Sequence, residues 1–140
     1  MASRLNPYLH FRGNAREALE FYRDVLGGDL QLMTFAEVGS ADATFADQIM
    51  HGQLETPSGY TLMASDTPPD MSHNPGDNFT ISLSGGNDDG DELRGYFERL
   101  SEGGAVYTPL EKQVWGDEFG ALTDRFGIAW LVNIGDPRSS

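Results

Sequence analysis

The chain has 140 residues, with 22 acidic against 9 basic side chains, a formal net charge of −13 and no cysteine. Such a field repels phosphate backbones and anionic headgroups, so nucleic acid and membrane surfaces are not expected partners. The missing cysteine excludes disulfides, thiolate metal sites and cysteine nucleophiles together, and a hydrophobic fraction of 39% fits one ordinary globular domain of this length.

At the start of the chain Met1 to Leu5 leads straight into a strand-like run, and no apolar stretch approaches a membrane span, so the cytoplasm is the expected location. The alternating run Leu5 to Phe11 predicts a half-buried strand with Leu5, Leu9 and Phe11 on the core side and Asn6, Tyr8 and His10 opposite. Asn14 with Glu17 reads as a capping box. A helix follows on the stripe Ala18, Phe21, Tyr22 and Val25, and Gly27-Gly28 stop it near Leu26. Next, Ile49-Met-His-Gly-Gln53 predicts a strand with His51 and Gln53 on one side, then a Gly59 turn.

The Pro- and Asp-bearing stretch after Asp66, with Thr67-Pro68-Pro69-Asp70, reads as a linker over residues 67–78. Beyond it the same grammar returns. Phe79 to Leu83 predicts a strand with Phe79, Ile81 and Leu83 inward and Thr80, Ser82 and Ser84 outward. Asp89 and Glu92 repeat the capping box, Leu93, Tyr96, Phe97 and Leu100 form the stripe, and Gly103 ends the helix. Gly52, Leu54, Gly59 and Leu62 correspond in turn to Gly120, Leu122, Gly127 and Trp130. The chain therefore reads as a tandem βαβββ repeat of the α+β class, residues 1–66 and 79–135, within a single domain.

The acids of Asn87-Asp-Asp-Gly-Asp-Glu92 lack the spacing of a calcium loop and suit a helix N-terminus instead. No serine elbow, phosphate loop or dinucleotide fingerprint is present.

The strings Leu5-Asn-Pro-Tyr-Leu-His-Phe-Arg-Gly-Asn14, Glu17-Ala-Leu-Glu-Phe-Tyr22, Leu62-Met-Ala-Ser-Asp66, Trp115-Gly-Asp-Glu-Phe-Gly120 and Asp124-Arg-Phe-Gly-Ile-Ala-Trp130 run through nearly the whole chain. In order and spacing they resemble the PhnB-like branch of the vicinal oxygen chelate superfamily, which includes glyoxalases, bleomycin-resistance proteins and dioxygenases. The resemblance implies paired βαβββ modules whose mixed sheet curls around a cavity, commonly in a homodimer. It also implies a divalent metal held by His, Gln or Glu from the first and last strands of each module. Here those positions fall on Asn6 or Pro7, Met63, Thr80 and Leu131. Met and Leu cannot serve a hard cation, so neither a metal nor another cofactor is expected.

On the inferred cavity side stand Tyr8, His10, His51, Gln53, Met63 and Ser82, joined by Trp115 and Phe119 from the segment before the last hairpin. Aromatic and thioether side chains with a few polar pins suit a small apolar or cationic molecule. Most aromatics in a domain of this size are core, and Trp130, of opposite parity to Leu131, is assigned there. His10 and His51 are the two candidates for a general base or ligand-orienting role, against the plainer reading of hydrogen-bonded strand histidines; His73 reads as a solvated loop residue. One functional reading is thus a metal-free small-molecule binder of the drug- or natural-product-sequestering, antibiotic-resistance type. The alternative is a lyase, isomerase or dioxygenase with an atypical ligand set, and a third is a dimer with no small-molecule role.

Overall fold

The computed structural model of the chain describes residues 3–39 and 44–135. The chain divides into two compact units, Met1–Gly76 and Asp77–Ser140, that repeat one order of elements. The first contains β1 (Tyr8–Phe11), α1 (Ala15–Leu26), β2 (Asp29–Thr34), β3 (Ile49–Glu55) and β4 (Thr61–Asp66). The second contains β5 (Ile81–Gly85), α2 (Gly90–Ser101), β6 (Ala105–Lys112), β7 (Glu118–Thr123) and β8 (Ala129–Ile134). Each unit forms its own four-stranded mixed sheet, in the orders β1-β4-β3-β2 and β5-β8-β7-β6. The outer pairs β1/β4 and β5/β8 are parallel and the remaining pairs antiparallel. A tandem βαβββ fold of the α+β class is what the repeated helix stripes and hairpin glycines predict.

One helix covers one face of each sheet. On α1, Ala15, Ala18, Leu19, Tyr22, Val25 and Leu26 are buried against Leu9, Phe11, Leu54, Leu62 and Ala64 of the strands. Fully buried side chains of this size contribute about 1.5–3 kcal/mol each from area removed from water. On α2 the buried set is Gly90, Leu93, Tyr96, Phe97 and Leu100, with Leu122, Trp130, Val132 and Ile134 on the sheet. Trp130 is 1% exposed, in line with its parity.

The repeated glycines have a packing reason. A Cβ on Gly52 would run into Leu19 of α1, and one on Gly120 would lie 2.8 Å from the Phe97 ring of α2 and 2.8 Å from the Leu110 backbone. Each helix crosses its sheet where the strand has no side chain. Gly59 and Gly127, with φ of 88° and 86°, close the two hairpins in the left-handed region.

Four local expectations are corrected. The first strand begins at Tyr8 rather than Leu5, which is fully exposed; Pro7 has no N–H for a ladder and only its carbonyl pairs, with Met63 N. In the second unit the strand runs Ile81–Gly85 rather than Phe79–Leu83, and Phe79 is 56% exposed, because its partner β8 begins only at Ala129. Neither Asn14 nor Asp89 makes a side-chain cap. At α1 that task belongs to Asp66 of β4, whose Oδ1 accepts from Gly13 N (2.8 Å) and Ala15 N (3.0 Å) while Oδ2 accepts from Ile49 N (2.9 Å). On α1 the stripe also shifts, with Leu19 buried and Phe21 only half-buried.

Candidate functional site

Alternation aims one face of the first sheet at α1 and leaves the other uncovered within that unit. Register builds the uncovered face row by row. Tyr8 lies beside Met63, Met63 beside Gln53 and Gln53 beside Gln31, a row across all four strands. Flanking rows pair His10 with Ser65, Met33 with His51, and Glu55 with both Asp29 and Thr61. A register shift between Met33 and Thr34 lets Ile49 turn inward while His51 stays outward, since Met50 has no opposite residue in the ladder.

A continuous hydrogen-bond chain runs over this face. The Tyr8 hydroxyl is 3.1 Å from His51 Nδ1, His51 Nε2 is 3.4 Å from Gln53 Oε1, and Gln53 Nε2 donates to Glu55 Oε1 at 3.0 Å. Glu55 Oε1 also accepts from Thr61 Oγ1 at 3.2 Å and Arg4 Nη2 at 3.3 Å. These partners, the Gln53 amide foremost, then Thr61 and the Arg4 charge, hold the Glu55 carboxyl below its ordinary value. The Tyr8 ring packs at a tilt between the two imidazoles, 5.3 Å from His10 and 5.7 Å from His51. Five sequence-predicted residues, Tyr8, His10, His51, Gln53 and Met63, thus share one sheet face.

The other three lie in the second unit. Ser82, Leu131, Ala121 and Thr108 form one row of its uncovered face and Ser84, Asn133, Phe119 and Glu111 the next. Trp115, in the tight turn closed by Gln113 and Asp117, is 54% exposed and meets Phe119 edge-on at 6.3 Å. Asn133 Nδ2 donates to the buried Asp117 at 3.1 Å. His73 is half-buried, 3.4 Å from the Thr67 hydroxyl, rather than freely solvated.

The positions that the family pattern assigns to metal carry a poor donor set. Met63 offers a thioether between Tyr8 and Gln53, and Leu131 offers hydrocarbon between Ser82 and Ala121. Asn6 and Pro7 precede β1 and Thr80 precedes β5. Among the described residues no three His, Asp or Glu side chains gather as a metal would require. These residues do not fit a hard divalent ion.

Glu55, Arg4 and Thr61 escaped the sequence reading. Parity alone puts Glu55 beside Gln53 and would have found it. Arg4 and Thr61 become visible only once β3 and β4 pair.

A family model described as 3-demethylubiquinone-9 3-methyltransferase matches residues 3–133. The chain belongs to that family. Among solved structures this PhnB-like chain is 38% identical to protein PA1353 from Pseudomonas aeruginosa, with a TM-score of 0.84 over 96% of this chain and 98% of that one. The Bacillus cereus PhnB protein, which bears the same methyltransferase description, is 20% identical with a TM-score of 0.70 over 95% of this chain and all of its own. A glyoxylase/bleomycin resistance protein/dioxygenase domain from Frankia sp. EAN1pec is 19% identical with a TM-score of 0.63, covering 98% and 94% of the two chains. The PhnB-like chain has the glyoxalase/bleomycin-resistance fold, and none of its described helices is long and apolar enough to cross a membrane.

Proposed function

We propose that this PhnB-like protein binds a small, largely apolar, neutral or cationic molecule without a metal, on the sheet faces that its helices leave uncovered. The carrying observation is the Tyr8–His51–Gln53–Glu55 chain beside Met63 and His10. Polar groups fixed around an aromatic ring give the mixture of stacking surface and pins that a ligand face needs. Trp115 and Phe119 supply further aromatic surface in the second unit, with Ser82 on the same side of its sheet. The family's description also names a ring-bearing, largely apolar substrate.

Calorimetry and thermal shift with polycyclic natural products, cationic glycopeptides, small α-keto acids and S-adenosylmethionine test the reading, each with and without Mn²⁺, Zn²⁺ and Ni²⁺. Apolar or cationic compounds should stabilise the protein without metal. Stacking adds about 0.5–1.5 kcal/mol beyond burial, so Tyr8→Ala should weaken a ligand held on the first sheet face about tenfold or more. Binding of oxygen-chelating acids only in the presence of metal would replace this reading by that of a metal enzyme. Conversion of S-adenosylmethionine to S-adenosylhomocysteine with a ring-bearing acceptor would replace it by methyl transfer.

A further inference from the structure

The hydrogen-bond chain on the first sheet has a direction that its chemistry dictates. An ionised carboxylate can only accept, so Glu55 draws the Gln53 NH₂ group toward itself. The Gln53 carbonyl oxygen must then face His51, and it can only accept, so the neutral ring carries its proton on Nε2. Nδ1 is left with a lone pair, and the Tyr8 hydroxyl donates into it. With its single proton committed inward, the phenolic oxygen of Tyr8, a residue 37% exposed, turns only lone pairs outward.

We infer that Glu55 acts through Gln53 and His51 to present Tyr8 Oη as a hydrogen-bond acceptor, so that the site takes a ligand bearing an N–H donor, an aromatic ammonium above all. The inference rests on the proposed ligand face and adds the class of molecule it selects. Glu55 is a positioning residue, anchored by Arg4 and Thr61. An anionic ring compound would meet the lone pairs of Tyr8 and the acidic surface of the protein, and is excluded.

The full chain, labelled with ¹⁵N, tests the two halves separately. Ring-nitrogen shifts of His51, recorded with the ring neutral, should show the Nε2–H tautomer. Glu55→Gln, which can donate as well as accept, and Gln53→Leu, which cuts the chain, should each mix the tautomers while leaving the melting transition cooperative. A dominant Nδ1–H tautomer in the unaltered protein, or one indifferent to both substitutions, overturns the inference whatever the protein binds. For the ligand half the probes are 2-phenylethylammonium, its N-trimethyl analogue and phenylacetate. The primary ammonium should perturb Tyr8 and His51, the trimethyl form should bind about tenfold more weakly for want of donors, and Glu55→Gln should weaken the primary ammonium by a similar factor. Preference for phenylacetate overturns the donor specificity. An Nε2–H ring that no probe perturbs overturns the ligand half while the polarised chain stands, and the binding proposal is then decided by its own ligand screen.

Discussion

Asp66 shows how much one buried carboxylate can organise. It is 3% exposed and ties the start of α1 and the start of β3 to the end of β4 through three backbone N–H groups. Asp66→Ala would leave those donors unsatisfied, and a single orphaned buried donor costs about 1–3 kcal/mol. The expected loss in chemical denaturation is roughly 3 kcal/mol or more; a change under about 1 kcal/mol would mean that water replaces the carboxylate. The paired glutamates give a separate, pH-dependent effect. Glu55 is lowered by Gln53, Thr61 and Arg4, and Glu118 by the Arg94 guanidinium, which approaches its two oxygens at 2.7 and 2.9 Å. The folded state therefore binds these protons more weakly than the unfolded chain. Their stabilisation is present above the ordinary glutamate value of 4.5 and is lost as pH falls through the lower folded-state values. Melting temperature should hold level above that window and fall below it, and Glu118→Gln should make the acid decline shallower. An equally steep decline in the variant would place the acid sensitivity elsewhere.

At the scale of elements, the two helix crossings differ in what surrounds the glycine. At Gly52 the obstacle to a Cβ is the tip of the Leu19 side chain, with Leu32 Cδ2 at 3.0 Å, whereas at Gly120 it is the Leu110 backbone and the rigid Phe97 ring. Side-chain tips can move at modest cost and backbone cannot. Both Gly52→Ala and Gly120→Ala should destabilise, typically by 1–3 kcal/mol for an overpacked core, with Gly120→Ala the larger. Equal or inverted costs in urea unfolding would show that the Leu110 backbone and the Phe97 ring give way as readily as the Leu19 side chain. The hairpins repeat a second device. Asp124 Oδ1 accepts from Phe126 N and Ile128 N and its Oδ2 from the Trp130 indole, while Thr56 Oγ1 accepts from Tyr60 N in the corresponding turn. Fixing β8 through Trp130 fixes the register in which Leu131 and Asn133 reach the uncovered face.

For the whole molecule we propose a homodimer, on the ground that among the described residues each sheet has two edge strands, β1 and β2 in the first and β5 and β6 in the second, and that β6 exposes Val106 and Tyr107. Two copies each carrying −13 repel one another, and at about 0.1 M salt charges separated by more than about 10 Å are largely screened. Sedimentation at micromolar concentration should therefore show a dimer that tightens as salt is raised. A monomer throughout that range, at high salt as well as low, would end the proposal. Edge residues such as Pro109 in β6 argue against open-ended strand addition, because proline removes a donor from the ladder.

Local rules were enough for the repeat itself. Period-3.6 stripes, period-2 strands and turn glycines are short-range properties, so both helices, their C-terminal stops, both closing hairpins and the core position of Trp130 follow from the residues in order. The same alternation places Tyr8, His10, His51, Gln53 and Met63 together, because side-chain parity survives any correct pairing of the strands. Strand starts did not follow, since Leu5 and Phe79 look like strand residues until the partner strand is known to begin later. Nor did the capping of α1, which a residue some fifty positions away performs in place of Asn14. The sense of the Tyr8–Glu55 chain depends on β3 lying between β2 and β4, which brings Thr61 and, with Arg4, a cation to the carboxylate. Hydrogen bonds between residues distant in sequence are set by register and by which groups burial leaves without water, and only the folded chain decides either.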